Sequence, residues 1–130
     1  MKIAEQLLKQ ALKARENAYA PYSHYSVGAA IYTQSGKIYS SCNVENISFP
    51  CGVCAEAGAI SAMIAGGDTK IKTILVVSDG DNLVYPCGAC LQRIAEFADE
   101  KTEICLADTQ KIHKTYTLKE LLPHCFKENI

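Results

Sequence analysis

The pattern of hydrophobic and polar residues changes character several times along the chain. Over residues 3–17, apolar residues recur at the spacing of one helical face, with Lys and Glu between them, which predicts a helix. Residues 27–33 and 37–44 are typical of β-strands, and the turn Gln34-Ser35-Gly36 between them predicts a hairpin. An irregular loop is expected over residues 46–52. The apolar positions of the first helix are Ile3, Leu7, Leu8, Ala11 and Leu12.

In the second half of the chain, long apolar segments are again separated by turns. An alanine-rich segment predicts a buried helix over residues 55–65, which Gly66-Gly67-Asp68 ends. The β-branched run from Ile71 to Ser78 is typical of a central strand that is covered on both faces. After a loop to Tyr85, we predict a helix over about 88–98, strands over 102–107 and 112–117, and a short helix over 118–122.

The order of these elements indicates an α/β fold. Helices and strands follow one another as α-β-β-α-β-α-β-β, and a short helix closes the chain. Such an order suggests a mixed sheet with helices packed on it. We therefore predict a single domain over residues 1–130, built as a three-layer α/β/α sandwich around a mixed five-stranded sheet.

Composition and charge narrow the classes of function. Thirteen Lys and Arg residues nearly balance 14 Asp and Glu residues. The sequence has no basic stripe of the kind that would indicate a nucleic-acid polymer as partner. The N-terminus lacks the apolar core of a signal peptide, and no run of 18 apolar residues predicts a membrane span. Seven cysteines, an odd number, argue against a fully paired disulfide scaffold. We therefore expect a soluble, cytoplasmic protein with reduced thiols.

Two cysteine clusters carry the candidate chemistry. The first cluster is Cys54-Ala55-Glu56. The second is Pro86-Cys87-Gly88-Ala89-Cys90, which begins 32 residues after Cys54. Three thiolates can hold a zinc ion whose fourth position stays open for a water of lowered pKa. Glu56, two residues from a ligand, can then move protons. This pattern resembles the site of the zinc-dependent nucleobase deaminases, in which a glutamate is the general acid and base.

Two other interpretations of the cysteines remain open. Cys51-Gly52-Val53-Cys54 is also a C-x-x-C motif, so four thiolates could form a closed structural zinc site that cannot activate water. This would describe a non-catalytic binding or scaffold protein, but it leaves Glu56 unexplained. Each cluster also begins an apolar helix, whereas structural zinc knuckles usually lie in loop-rich segments. A redox-active C-x-x-C is favoured less, because its usual sequence context is missing.

Several short motifs, taken together and in order, resemble the short homotetrameric cytidine deaminases. The similarity extends from the first helix to Phe126, nearly the whole chain. Each motif is weak alone, but the ordered set is specific. The motifs are Ala20-Pro21-Tyr22-Ser23, Val27-Gly28-Ala29-Ala30, Asn43-Val44-Glu45-Asn46, Cys54-Ala55-Glu56, Pro86-Cys87-Gly88-Ala89-Cys90 and Leu121-Leu122-Pro123.

The resemblance implies a reaction and a cofactor. Cys54, Cys87 and Cys90 match the cysteines that bind one zinc ion per chain in that family. Glu56 matches the glutamate that shuttles protons while zinc-bound hydroxide attacks C4 of cytosine. The implied activity is the hydrolysis of cytidine and 2'-deoxycytidine to uridine and 2'-deoxyuridine with release of ammonia, in pyrimidine salvage.

The resemblance also implies how a nucleoside is bound. Asn43 and Glu45 match a ribose-binding pair, and the backbone of Ala55 matches a contact to the base. Tyr25 stands where the family usually has a phenylalanine near the base. Phe126 matches an aromatic residue that reaches a neighbouring subunit's site, which implies a homotetramer with shared active sites. Without the resemblance, Asn43 and Glu45 would be read as an exposed strand end, and either ring as ordinary core.

The chain departs from the family pattern in its arginines. Ala57 follows Glu56 where the family usually has an arginine, and Leu91 follows the last cysteine where a second one is usual. A zinc ion with three thiolates is net negative, which weakens its effect on bound water. Arg93, one helical turn after Cys90, is the candidate for charge compensation, although it could also be an ordinary surface arginine.

This departure leaves the substrate open. Blasticidin S deaminases share the three-cysteine site and also lack the arginine after the glutamate, and they act on a modified cytosine nucleoside. Because Asn43 and Glu45 are both present, we expect an ordinary ribose or deoxyribose first and a modified nucleoside second.

Overall fold

Four helices pack around a central five-stranded sheet in the computed structural model, which describes residues 2–79 and 83–127. Part of the predicted loop before Tyr85, residues 80–82, lies outside the described residues. The helices are α1 (Ile3–Arg15), α2 (Ala55–Ala65), α3 (Gly88–Glu96) and α4 (Leu118–Leu121), and the strands are β1 (Val27–Thr33), β2 (Ile38–Cys42), β3 (Ile71–Ser78), β4 (Glu103–Ala107) and β5 (Ile112–Thr117).

The sheet has the mixed topology that the order of elements predicts. Its strand order is β2-β1-β3-β4-β5, in which β3 and β4 run parallel and the other neighbours run antiparallel. β3 lies in the middle, and all of its residues except Lys72 are buried. The prediction of a central strand covered on both faces is confirmed.

Side chains from the two faces of the sheet form two separate hydrophobic cores. On one face, Leu7 and Ala11 of α1 pack with Leu75 and Val77 of β3. On the other face, residues of α2 and α3 pack on the alternate strand positions, among them Ile74. Each fully buried Leu or Ile side chain contributes about 1.5–3 kcal/mol. The second core therefore fixes α2 and α3, which carry the cysteines, and the first fixes α1. The predicted α/β/α sandwich is confirmed.

A glycine allows the closest approach between α1 and the sheet. A Cβ atom on Gly28 would lie 2.1 Å from the carbonyl oxygen of Ala11 and 2.9 Å from Cβ of Arg15. Only a residue without a side chain lets α1 pack directly on β1 at this point.

Several predicted ends were wrong by one or two residues. The first helix ends at Arg15 and not Asn17, and the strand predicted over 37–44 is shorter at both ends. The N–H of Asn43 still donates to Val27 of β1, but the carbonyl of Asn43 and the backbone of residues 44 and 45 bond to Tyr19 and Val53. The helix predicted to end at Ala98 ends at Glu96, and the helix predicted over 118–122 ends at Leu121. The strand predicted over 102–107 begins one residue later, at Glu103. The predicted loop 46–52 contains a 3-10 turn, Phe49–Cys51.

Among the described residues, no helix combines the length and hydropathy that a membrane span requires.

Candidate active site

Both cysteine clusters lie where a helix begins. Cys54 is the N-cap of α2 and Cys87 is the N-cap of α3, as the sequence predicts. The two helices contact each other on the same face of the sheet. Unpaired N–H groups and the positive end of the helix dipole favour a thiolate over a thiol at such positions.

One group of metal-binding side chains forms among the described residues. Donor atoms of Cys54, Glu56 and Cys90 all lie within 4.8 Å of one another, with Glu56 and Cys90 buried. The structure thus brings together two predicted thiols and the predicted proton carrier. Cys87 is exposed at the start of the helix that carries Cys90 and is not part of this group. Cys51, the fourth thiol of the closed-site interpretation, is exposed and also lies outside it, with its thiol 3.6 Å from the Ser48 hydroxyl.

The two grouped thiols titrate as a pair. A hydrogen bond from the Cys90 thiol lowers the pKa of Cys54 to about 6, and the backbone N–H of Ala57 and the charge of Arg93 act in the same direction. The same hydrogen bond, together with burial, raises the pKa of Cys90. Cys54 is therefore the sulfur of the pair that loses its proton first.

Glu56 has the environment of a proton-transfer group. Only 5% of its surface is exposed. Burial raises the pKa of its carboxyl group, and the neighbouring Cys54 adds to the effect. A carboxyl group whose pKa rises toward neutrality can both accept and return a proton.

Arg93 reaches the thiols from α3. Its Nη1 atom lies 3.6 Å from Sγ of Cys90 and 4.0 Å from Sγ of Cys54. The Cys90 hydrogen bond raises the pKa of the guanidinium group, so it stays charged. A fixed positive charge beside the sulfurs is the contact that Ala57 cannot provide.

The donor set fits zinc. Thiolates are the ligands of tetrahedral zinc sites, and a fourth position is left when three bind. Cys54 and Cys90 already share one cluster, Cys87 lies three residues before Cys90, and Arg93 offsets their charge.

A short backbone ladder connects the cysteine cluster to the predicted nucleoside-binding residues. Val44 and Val53 exchange two hydrogen bonds, of 2.9 and 2.8 Å. On the other side of residues 43–45, the N–H of Tyr19 donates to the carbonyl of Asn43 at 3.0 Å, and that of Glu45 donates to the carbonyl of Tyr19 at 2.8 Å. Since Val53 precedes Cys54, the ladder fixes Glu45 close to the start of α2.

The side chains of Asn43 and Glu45 both bind the segment 22–27. Asn43 Oδ1 accepts from the N–H of Val27 at 2.9 Å, and its Nδ2 donates to the carbonyl of Tyr25 at 2.8 Å. Glu45 Oε1 accepts from the N–H groups of Tyr22 and Ser23 at 3.0 and 3.2 Å. Their role toward a sugar stays a prediction.

A cavity of about 360 Å³ lies against Glu45. The rings of Tyr22 and Phe49 meet edge to face beside it, with 6.2 Å between centroids. None of the cysteines lines this cavity. Its lining residues are Tyr22, Ser23, Glu45, Asn46, Phe49 and Gly52.

The remaining predicted residues are distributed around these two sites. Ala55 is buried in the first turn of α2, and Tyr25 is half-buried. The Phe126 ring is 76% exposed, while its backbone N–H and C=O are held by the side-chain amide of Gln92 at 2.9 and 3.0 Å. Sequence reasoning missed the contacts of Gln92 and Ser23, because nothing in a local pattern pairs residues that lie 34 or 22 positions from their partners.

Comparisons with known proteins agree with this geometry. Residues 1–106 match the family model of the cytidine and deoxycytidylate deaminase zinc-binding region. A cytidine deaminase of Sporosarcina psychrophila is 39% identical over 124 residues, which is 95% of this chain and 91% of that protein. A blasticidin-S deaminase of Bacillus cereus is 34% identical over 119 residues, covering 85% of this chain and 83% of that protein.

A solved structure agrees over the same range. The crystal structure of a cytidine deaminase from Burkholderia pseudomallei superposes with a TM-score of 0.89 at 38% identity, covering 97% of this chain and all of that one. With the family model matched over most of the sequence, the chain belongs to the cytidine and deoxycytidylate deaminase family.

Proposed function

We propose that this protein is a zinc-dependent cytidine deaminase. The reaction hydrolyses cytidine or 2'-deoxycytidine to uridine or 2'-deoxyuridine and ammonia. The observation that carries the proposal is the group of Cys54, Glu56 and Cys90, which joins metal-binding thiols to a buried carboxyl group of raised pKa. The names of the relatives, cytidine deaminases in most cases, support the same activity.

The cofactor in this proposal is one zinc ion per chain, held by Cys54, Cys87 and Cys90. When bound, zinc supplies a Lewis acid that lowers the pKa of a water molecule toward neutrality. Arg93 offsets the negative charge of the three thiolates from its position beside Cys90 and Cys54.

Glu56 moves the protons of the reaction. Its carboxylate takes a proton from the attacking water and delivers it to the ring nitrogen N3 of cytosine. The same group then takes the remaining proton from the hydroxyl added at C4 and transfers it to the 4-amino group, which leaves as ammonia while the C4 carbonyl forms. Burial assists because it excludes bulk water and raises the pKa of Glu56, which makes its carboxylate a better proton acceptor.

Residues around the ladder bind the nucleoside. Asn43 and Glu45 hold sugar hydroxyls, and the backbone of Ala55 contacts the base. Tyr25 lies near the base, and Phe126 reaches the active site of a neighbouring subunit. The exposed ring of Phe126 and its fixed backbone support that last role.

The proposed assembly is a homotetramer with shared active sites, acting in the cytoplasm in pyrimidine salvage. The near-balanced charge gives no reason to propose a nucleic-acid polymer as substrate. The small nucleoside is therefore the proposed partner.

Blasticidin S is a second candidate substrate. Two observations favour it: the similarity to a blasticidin-S deaminase and Ala57, which stands where cytidine deaminases usually have arginine. Both candidates use the same zinc, Glu56 and cytosine chemistry, so they differ only in the sugar side of the site.

The test follows the loss of the cytosine absorbance band with zinc-loaded protein. Cytidine, deoxycytidine and blasticidin S are compared, with Glu56→Gln as the matched variant, because it keeps the size of the side chain and removes its acid-base function. We expect turnover of the simple nucleosides that falls at least about 1,000-fold in Glu56→Gln with zinc content unchanged. Turnover of blasticidin S alone would select the second candidate, and full activity of Glu56→Gln would reject the mechanism.

A further inference from the structure

We infer that Ser23 is a positioning residue for Glu45, fixing its carboxylate for one sugar hydroxyl of the substrate. The inference rests on the proposed function, since it assigns Glu45 to the sugar. It adds a residue that the cysteine and Asn-Glu motifs do not include.

Glu45 receives three hydrogen bonds from one short segment. The N–H groups of Tyr22 and Ser23 both donate to Oε1, at 3.0 and 3.2 Å, and the Ser23 hydroxyl donates to Oε2. Hydrogen bonds to an ionised carboxylate are stronger than those between neutral groups. The Ser23 hydroxyl is the largest cause of the lowered pKa of Glu45, so the carboxylate is ionised at neutral pH.

The direction of the Ser23 hydroxyl is fixed by a second contact. Its oxygen accepts a hydrogen bond from the N–H of Tyr25 at 3.0 Å. A backbone N–H can only donate and an ionised carboxylate can only accept, so the single hydroxyl proton must point to Glu45. Replacing Ser23 with alanine therefore removes a donor that no neighbouring group in the described structure supplies.

The local backbone holds Ser23 in this orientation. The N–H of His24 donates to the carbonyl of Ala20 at 2.9 Å, which closes a turn around Ser23. His24 has a φ of 57°, in the left-handed region that is unfavourable for a residue with a side chain. The contacts of Asn43 to Val27 and Tyr25 fix the other end of the same segment.

The hydrogen bonds define what Glu45 can still bind. Oε1 accepts two N–H groups and Oε2 accepts one hydroxyl, so among the described residues one acceptor position remains on Oε2. The adjoining cavity is lined by Glu45 and Ser23, and no Lys or Arg of the described ranges lines it. This arrangement suits a ligand that donates a hydroxyl, as a sugar does, and not a phosphate.

The test compares cytidine with 2',3'-dideoxycytidine, which lacks both ring hydroxyls, in wild type, Ser23→Ala and Ser23→Thr. Removing one charge-assisted hydrogen bond should raise KM for cytidine roughly tenfold in Ser23→Ala, with kcat within about twofold. KM for the dideoxy analogue should change less than about twofold, and Ser23→Thr should restore most of the effect. Ser61→Ala, an exposed serine on α2, is the matched control and should change nothing.

Three results would overturn the inference. These are an unchanged KM for cytidine in Ser23→Ala, an equal rise for the dideoxy analogue, or a fall in kcat without a change in KM. A separate NMR titration of the Glu45 carboxyl carbon should show its pKa higher in Ser23→Ala than in wild type. If wild type turns over no nucleoside, the proposed function and the sugar assignment fail together, and the titration alone then decides whether Ser23 positions Glu45.

Discussion

Replacing Arg93 with alanine is expected to weaken zinc binding. The guanidinium Nη1 lies 3.6 Å from Sγ of Cys90 and 4.0 Å from Sγ of Cys54. When zinc binds, Cys90 changes from a thiol to a thiolate, and the guanidinium group then donates a stronger, charge-assisted hydrogen bond to it. Because three thiolates with Zn²⁺ remain net negative, the metal ion does not offset this gain, and the arginine stabilises the zinc-bound form more than the free form.

The size of the effect follows from the change in this hydrogen bond. A hydrogen bond to a charged group contributes roughly 1.5–3 kcal/mol, against roughly 0.5–1.5 kcal/mol for one between neutral groups. Arg93 is exposed, so solvent screening keeps the difference near its lower limit. We therefore expect a loss of roughly 1 kcal/mol, which is roughly a fivefold rise in the zinc Kd.

Competition with a chromogenic zinc chelator measures this Kd directly. Arg93→Lys keeps the charge and should lose less affinity than Arg93→Ala. Lys101→Ala removes an equal charge from an exposed position beyond the opposite end of α3, and should leave the Kd unchanged. A zinc Kd in Arg93→Ala within twofold of wild type would refute the role of Arg93, and so would equal losses in Arg93→Ala and Lys101→Ala.

Three further predictions concern stability and the metal. Gly28→Ala should lower the free energy of unfolding in urea by about 1–3 kcal/mol, because the new Cβ would lie 2.1 Å from the Ala11 carbonyl oxygen. Gly88→Ala is the control, because a Cβ at that position would have no heavy atom within 4 Å. Equal losses in the two variants would contradict the account. A hydrogen bond from His113 lowers the pKa of Asp108 from 3.8 to about 2. The stability that this carboxylate contributes should therefore be complete above pH 3.8 and lost as the pH falls through about 2. His113→Ala should raise the pKa of Asp108 in an NMR titration, and an unchanged pKa would exclude the interaction. Removal of zinc with a chelator should abolish turnover, and added zinc should restore it; activity that persists without metal would reject the zinc mechanism.

The fold was predictable from the sequence because burial leaves a local pattern. Five of the eight residues from Ile71 to Ser78 are Ile, Leu or Val, and a strand with both faces covered is the arrangement that buries them. The boundary of β2 was less predictable. The N–H of Asn43 still donates to Val27 of β1, but its carbonyl accepts from Tyr19, and a contact to a residue 24 positions away leaves no local signal.

The candidate site was predictable to the extent that its residues lie in short motifs. Cys54 and Glu56 are two residues apart at a helix start, so their proximity follows from local geometry. The position of Arg93 beside Cys90 follows from helical spacing in the same way. The contact between Ser23 and Glu45 joins the turn between α1 and β1 to the segment after β2. No single segment of the sequence encodes how these two parts pack together.

The central claim is that three thiolates hold zinc and leave its fourth position open. X-ray absorption at the zinc edge of the loaded protein measures the ligand set directly. We predict three sulfur atoms at about 2.3 Å and one oxygen or nitrogen atom at about 2.0–2.2 Å, with the same spectrum in Cys51→Ser. Four sulfur atoms in the wild-type protein, falling to three in Cys51→Ser, would show a closed structural site and contradict the proposed deaminase.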